Sequence, residues 1–246
     1  MTIAKIQTQQ VTINNQDLAI DAYLATPEDD KTYPAVIVIQ EIFGVNDHIR
    51  DVTERIARQG YVAIAPAMYQ RQVPGFAIGY TPEDVKIGRE YKNKTTATEL
   101  LSDIDAAIDY LYQLPQVKTT GVGIVGFCFG GHITYLGATL ERIKAAASFY
   151  GSGIANWCPG ETEPTIKRTK DIQGTIYCFF GTNDALIPNE QVDLIAEELA
   201  KQNISHQIFR YPDAEHGFFC DRRGSYNPAA AQDAWPKMLE LFSSKL

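Results

Sequence analysis

Residues 121–140 read GVGIVGFCFGGHITYLGATL, an apolar strand that passes through Gly126-Phe127-Cys128-Phe129-Gly130-Gly131 into a helix. A strand that turns directly into a helix crowds two backbones together. Glycine two residues before and two after the turning residue leaves room for them. Gly126 and Gly130 flank Cys128 at those positions. The turn holds its central side chain at the mouth of a sheet, over the positive end of the following helix, where a thiol ionises more readily. Cys128 is therefore a candidate nucleophile, in a place where serine is usual.

The rest of the chain supplies the sheet that such a turn requires. Apolar, β-branched runs alternate with amphipathic stretches, which predicts an α/β fold: a mostly parallel central sheet with helices on both faces. Alternation over residues 11–24 predicts an N-terminal hairpin turning at Asn14-Asn15 or nearby. Further strands are expected at Tyr33–Ile39, 61–65, 122–125, 145–150, 175–180 and His206–Tyr211. Helices are expected at 46–58, from Thr81, at 98–114, after Cys128, at Asn189–Lys201 and at 228–242. Residues 66–80, rich in proline and glycine, read as irregular. No linker signature divides the 246 residues, so a single domain over residues 1–246 is expected.

Charge and cysteine usage exclude several classes. Twenty-two basic against thirty acidic side chains give a net charge of −8. Such a surface repels nucleic acid and anionic lipid, so neither is an expected partner. The first residues lack an apolar signal-peptide core and no segment approaches a membrane span, which makes the cytoplasm the expected location. The four cysteines form no C-x-x-C pair and the four histidines no H-x-x-x-H, so neither a disulfide framework nor a metal is expected. Gly121, Gly123 and Gly126 do spell G-x-G-x-x-G, with Glu141 near the distance of a ribose-binding acid. A dinucleotide fingerprint follows a strand, whereas these glycines begin one; no nucleotide and no other cofactor is expected.

A cysteine nucleophile needs a base and a group that orients the base. In open α/β sheets these lie on loops at the carboxyl ends of strands. Asp184 follows the strand at 175–180 through Gly181-Thr182-Asn183, and His216 follows His206–Tyr211 through Pro212-Asp213-Ala214-Glu215. The order Cys128, Asp184, His216 is that of nucleophile, acid and histidine. Cys178 reads as core, His132 and His206 as packed or surface side chains, His48 as a helix-surface position, and Asp193 and Asp213 as solvated carboxylates.

With these residues in place the chain resembles the dienelactone hydrolase family, the cysteine-dependent branch of the α/β-hydrolase superfamily, over essentially its whole length. The matching pieces are Gln40-Glu41-Ile42-Phe43-Gly44-Val45-Asn46, Gln59-Gly60-Tyr61, Met68-Tyr69 with Arg71-Gln72, the turn around Cys128, Gly181 with Asp184 and Pro188, and Glu215-His216-Gly217-Phe218. The resemblance implies an α/β-hydrolase fold and hydrolysis of a lactone or carboxylic ester, anionic in the family, through an acyl-enzyme. Cys128 would be the nucleophile, His216 the base and Asp184 its orienting acid. Glu41 would lie beside Cys128 and take part in switching thiol to thiolate when an anionic substrate arrives. The backbone N–H groups of Ile42 and Phe129 would form the oxyanion hole. Four residues after the histidine, where the family carries a substrate-binding arginine, this chain has Cys220, with Arg222 and Arg223 just beyond. Arg89, in the basic stretch Lys86, Arg89, Lys92 and Lys94, is the other candidate contact. A general esterase or thioesterase, a non-catalytic hydrolase-fold binding protein and a thiol redox protein remain open at this point, as do monomer and homodimer.

Overall fold

In the computed structural model, which describes residues 5–246, eight strands form one sheet. In chain order they are β1 (Ile6–Asn15), β2 (Leu18–Pro27), β3 (Tyr33–Ile39), β4 (Val62–Pro66), β5 (Val117–Phe127), β6 (Ile143–Phe149), β7 (Thr175–Gly181) and β8 (His206–Tyr211). Six helices accompany them: α1 (Asp47–Ala57), α2 (Pro82–Lys92), α3 (Ala97–Tyr112), α4 (Phe129–Gly137), α5 (Asn189–Lys201) and α6 (Pro228–Lys245). Across the sheet the order is β1-β2-β4-β3-β5-β6-β7-β8. β1, β2 and β4 pair antiparallel, and every pairing from β4–β3 to β7–β8 is parallel. This is the expected α/β architecture.

The central parallel strands are apolar over most of their length because helices cover both of their faces. Residues 36–39 of β3 have no exposed surface. Phe149 and Phe179, on neighbouring strands, stack with ring centroids 4.3 Å apart. Such a core fixes the strand ends, and the loops that leave those ends inherit their precision.

The larger departures from the sequence reading are in the hairpin, at the start of β5 and after β6. The hairpin ladder runs from Ile6 to Pro27 and turns at Gln16-Asp17, with Gln16 in the left-handed region at φ 53°. Residues 7–10 are exposed and polar, so no alternation announces them. β5 begins at Val117, and its first residues Lys118, Thr119 and Thr120 are exposed. Gly121 and Gly123 therefore lie inside a strand, where the pairing with β6 also shifts register. A short 3-10 segment, Thr165–Asp171, has no counterpart among the expected elements.

Candidate active site

The turn at Cys128 is as tight as its glycines imply. Cys128 has φ 57° and ψ −116°, a conformation that costs a non-glycine residue on the order of 1–3 kcal/mol. Its surroundings impose it. The Cys128 N–H donates to the Phe149 carbonyl at 3.0 Å, and the Cys128 carbonyl accepts from His132 N–H at 3.2 Å. A Cβ on Gly126 would stand 2.1 Å from the Gly130 carbonyl oxygen, and one on Gly130 would stand 2.4 Å from that of Gln40. Any larger residue at either position would push α4 away from β3 and carry the sulfur with it.

Asp184 and His216 reach the same rim on the loops after β7 and β8. The two loops are tied together by Thr182 N–H donating to Tyr211 O at 2.9 Å and Asn183 N–H to Ala214 O at 3.0 Å. His216 Nδ1 donates to Asp184 Oδ2 at 2.7 Å, and Asp184 Oδ1 accepts from the Leu186 N–H at 2.8 Å. With both carboxylate oxygens engaged, the imidazole is held in one orientation and one tautomer. Its Nε2 is buried and has no nitrogen or oxygen partner. Burial by itself would lower the imidazole pKa. Negative charge on the Cys128 sulfur and the Asp184 interaction outweigh burial and push it up to about 10. The fully buried Tyr150 packs edge-on against the His216 ring at 5.2 Å.

Glu41, just past the end of β3, is 1% exposed. Its Oε1 accepts from Arg223 Nη1 at 2.9 Å, and its Oε2 is buried without a partner. The Arg223 guanidinium lies over the rings of Phe43 and Tyr80, at 5.8 and 5.9 Å from their centroids. Burial opposes its charge, but Glu41 first and Cys128 second raise its pKa above the ordinary arginine value. Cys220 is buried and donates its thiol to Tyr80 Oη at 3.3 Å, and burial followed by the nearby Glu41 pushes it up to about 12. It packs as a neutral thiol. Arg222 lies outside this cluster, in a separate surface groove with His48 and Arg50, and its side chain is 58% exposed.

A cleft of about 340 Å³ opens over Cys128. One wall carries Ile42, Phe129, His216 and Arg223. The Phe129 N–H, at the first position of α4, has no carbonyl partner within the helix. The Ile42 N–H makes no backbone hydrogen bond among the described residues. The other wall is α2 with Arg89 and Lys92, and the loop after β6 with Trp157. Gly88 seats α2 there: a Cβ on it would stand 2.4 Å from the Ile42 carbonyl oxygen. Lys92 Nζ lies 4.3 Å from the Trp157 ring centroid. Burial lowers the Lys92 pKa, with Cys128 acting in the opposite direction.

The sequence presents Lys92 only as one charge in a basic stretch, and Trp157 lies in a segment, between the strand ending at Phe149 and the one starting at Thr175, that has no periodic pattern. The i, i+3 spacing of Arg89 and Lys92, which puts both on one helix face, was the available signal for the first. Nothing marked the second. His132 is a packed core residue: burial lowers its pKa to about 4, and its ring nitrogens meet Ser152 O at 2.8 Å and Thr165 Oγ1 at 2.7 Å. Cys178 is buried in β7. No helix among the described residues is long and apolar enough to cross a membrane.

Comparison with known proteins shows what the chain as a whole is similar to. A profile of the dienelactone hydrolase family matches residues 20–246. A protein of Synechocystis sp. provisionally named carboxymethylenebutenolidase is 58% identical over 241 residues, covering 98% of each chain. A protein of Escherichia coli K12 with the same provisional name is 34% identical over 240 residues, covering 94% of this chain and 84% of its own. The crystal structure of a provisionally assigned dienelactone hydrolase from Klebsiella pneumoniae superposes with a TM-score of 0.89 at 33% identity. The match covers 97% of this chain and 99% of that one.

Proposed function

The chain belongs to the dienelactone hydrolase family, and from that premise we propose that it is a carboxylic ester hydrolase that opens a lactone or cleaves an ester through Cys128, His216 and Asp184. The observation that carries the reading is the His216–Asp184 pair at 2.7 Å, with Nε2 left free toward a sulfur on a strained turn. The Cys128 sulfur attacks the carbonyl carbon, and the carbonyl electron pair moves onto oxygen, where the Ile42 and Phe129 N–H groups receive it. The bond to the leaving oxygen then breaks as the imidazolium of His216 gives that oxygen its proton. A thioester remains on Cys128. Neutral His216 next takes a proton from water, the resulting hydroxide adds to the thioester, and collapse expels the sulfur and frees the carboxylic acid.

Asp184 keeps Nε2 pointed at the reaction and favours the imidazolium. Glu41 and Arg223 set the charge beside the sulfur, with the carboxylate's free Oε2 available to take part in moving the thiol proton. An anionic substrate is supported by the cationic wall of the cleft. Four free, buried cysteines suit a cytoplasmic enzyme. Turnover of activated esters and small lactones by wild type and Cys128→Ala tests the assignment. Wild type should hydrolyse them and Cys128→Ala should not; full activity in the variant would overturn it.

A further inference from the structure

One wall of the cleft is held from behind by a side chain that the reaction does not use. The segment after β6 brings Ser152, Gly153, Asn156 and Trp157 to the cleft. It closes on itself through Trp157 N–H donating to Gly153 O at 2.8 Å and Thr165 N–H to Trp157 O at 3.1 Å. His132, in α4, meets both ends of this segment: its Nδ1 lies 2.8 Å from Ser152 O and its Nε2 2.7 Å from Thr165 Oγ1. Neither His132 nor Thr165 has any exposed surface. The imidazole stands edge-on to Trp157 with ring centroids 5.2 Å apart, and Phe129 packs against both rings, at 6.2 Å from Trp157 and 6.5 Å from His132. Phe129 and Trp157 line the cleft, and the buried imidazole backs them.

Chemistry fixes the state of this ring. A carbonyl oxygen only accepts, so Nδ1 carries a proton and donates it to Ser152 O. Burial lowers the pKa to about 4, which leaves the ring neutral and Nε2 bare, able to accept from the Thr165 hydroxyl. With no solvent to take the place of either partner, losing one bond would strand a buried polar group, so the ring holds the two ends of the segment at a set distance from α4. The helix is itself tied to the nucleophile: His132 N–H donates to the Cys128 carbonyl at 3.2 Å, and Phe129, whose N–H is the proposed oxyanion donor, is its first residue.

We propose that His132 is a positioning residue of this site, clamping residues 152–165 to α4 so that Trp157 stands at a fixed distance from Cys128 and limits the size of the acyl group that the cleft of about 340 Å³ admits. The proposal rests on the ester-hydrolase reading and adds to it what sets the length of the acyl chain. Without the imidazole, Trp157 settles into the space behind it and the cleft deepens.

The test compares p-nitrophenyl acetate with p-nitrophenyl hexanoate. The ratio of kcat/KM for the longer over the shorter ester, read on one sample, does not depend on how much of a variant is folded. In His132→Ala it should rise by about 10-fold, the lower end of what one methylene is worth in an apolar pocket. Thr165→Val, which keeps the shape and removes the hydroxyl, should shift the ratio the same way by a smaller factor. His132→Asn, whose amide can still donate to Ser152 O, should restore part of the wild-type ratio. In the wild type, ¹⁵N NMR should find the His132 proton on Nδ1 and none on Nε2. An unchanged ratio in His132→Ala, even with both rates or the stability reduced, would mean that the ring serves packing alone and would overturn the proposal, as would a proton found on Nε2. Wild type that turns over neither ester would overturn the ester-hydrolase reading and this proposal with it.

Discussion

The two walls of the cleft are built on different principles. The wall that carries Cys128, Asp184, His216 and Glu41 hangs from the ends of β3, β5, β7 and β8, and each of its carboxylates has a partner within 3 Å: 2.7 Å from His216 to Asp184 and 2.9 Å from Arg223 to Glu41. The wall made by α2 and the loop after β6 is laid over the sheet, and its Lys92 meets aromatic rings, Trp157 and Phe129, in place of a carboxylate. The difference teaches where each property resides. On the proposed reading the sheet holds the reacting groups, because strand ends locked in a packed core keep a geometry that a reaction needs. The overlaid helix presents unpaired charge to the cleft, where a ligand can supply the counterion.

The largest effects belong to the sheet-borne wall. His216→Ala and Asp184→Asn should each lower kcat/KM by on the order of 10² to 10⁴ on anionic and neutral esters alike. A loss confined to anionic esters would erase the division between the walls. Arg223→Met should come next, because it leaves Glu41 buried and unpaired: a loss of about 3 kcal/mol in denaturant unfolding, the low end for breaking a buried pair since Arg223 keeps some solvent contact. The double change Glu41→Gln with Arg223→Met should recover most of that loss. If it does not, the pair is not the source.

Gly88→Ala sharpens the comparison from the other side. Its new Cβ would press on the Ile42 carbonyl at 2.4 Å, so α2 must shift, at a cost of about 1–3 kcal/mol. The ratio of kcat/KM for an anionic ester over its neutral counterpart should drop with it, which steady-state kinetics on the two would read. A ratio that survives the shift would separate selectivity from the seating of α2.

The effect read through pH alone concerns His216, which the Cys128 charge and Asp184 push up to about 10 in the folded protein against about 6.5 for a free imidazole. A raised cationic pKa contributes stability that is complete below about 6.5 and is lost as pH rises toward 10. Unfolding free energy should therefore decline over that window in the wild type. In Cys128→Ala, where the sulfur's charge is gone, the decline should begin at lower pH, and the imidazole NMR titration should move down with it. Identical titrations in the two proteins would show that the sulfur does not hold the proton on the ring.

Much of the sheet-borne wall was legible in the sequence because its constraints are local. Gly126 and Gly130 are demanded by a backbone contact two residues either side of Cys128, and Asp184 and His216 stand just beyond strands whose apolar runs mark their own ends. The start of β5 was missed because Lys118, Thr119 and Thr120 are solvent-facing and carry no apolar signal. The partner of Glu41 could not be read, since Arg223 lies 182 residues away and nothing in the spacing distinguishes it from Arg222, which is turned to another groove. Trp157 was likewise invisible: its value lies in the ammonium that rests on it, and loops leave no periodicity to read.

The central claim is a covalent one, and mass spectrometry tests it most directly. His216→Ala mixed briefly with an activated ester and quenched in acid should gain the mass of one acyl group, and peptide mapping should place it on Cys128. An acyl group on any other residue, or turnover of the same ester by Cys128→Ala at the wild-type rate, would contradict the account.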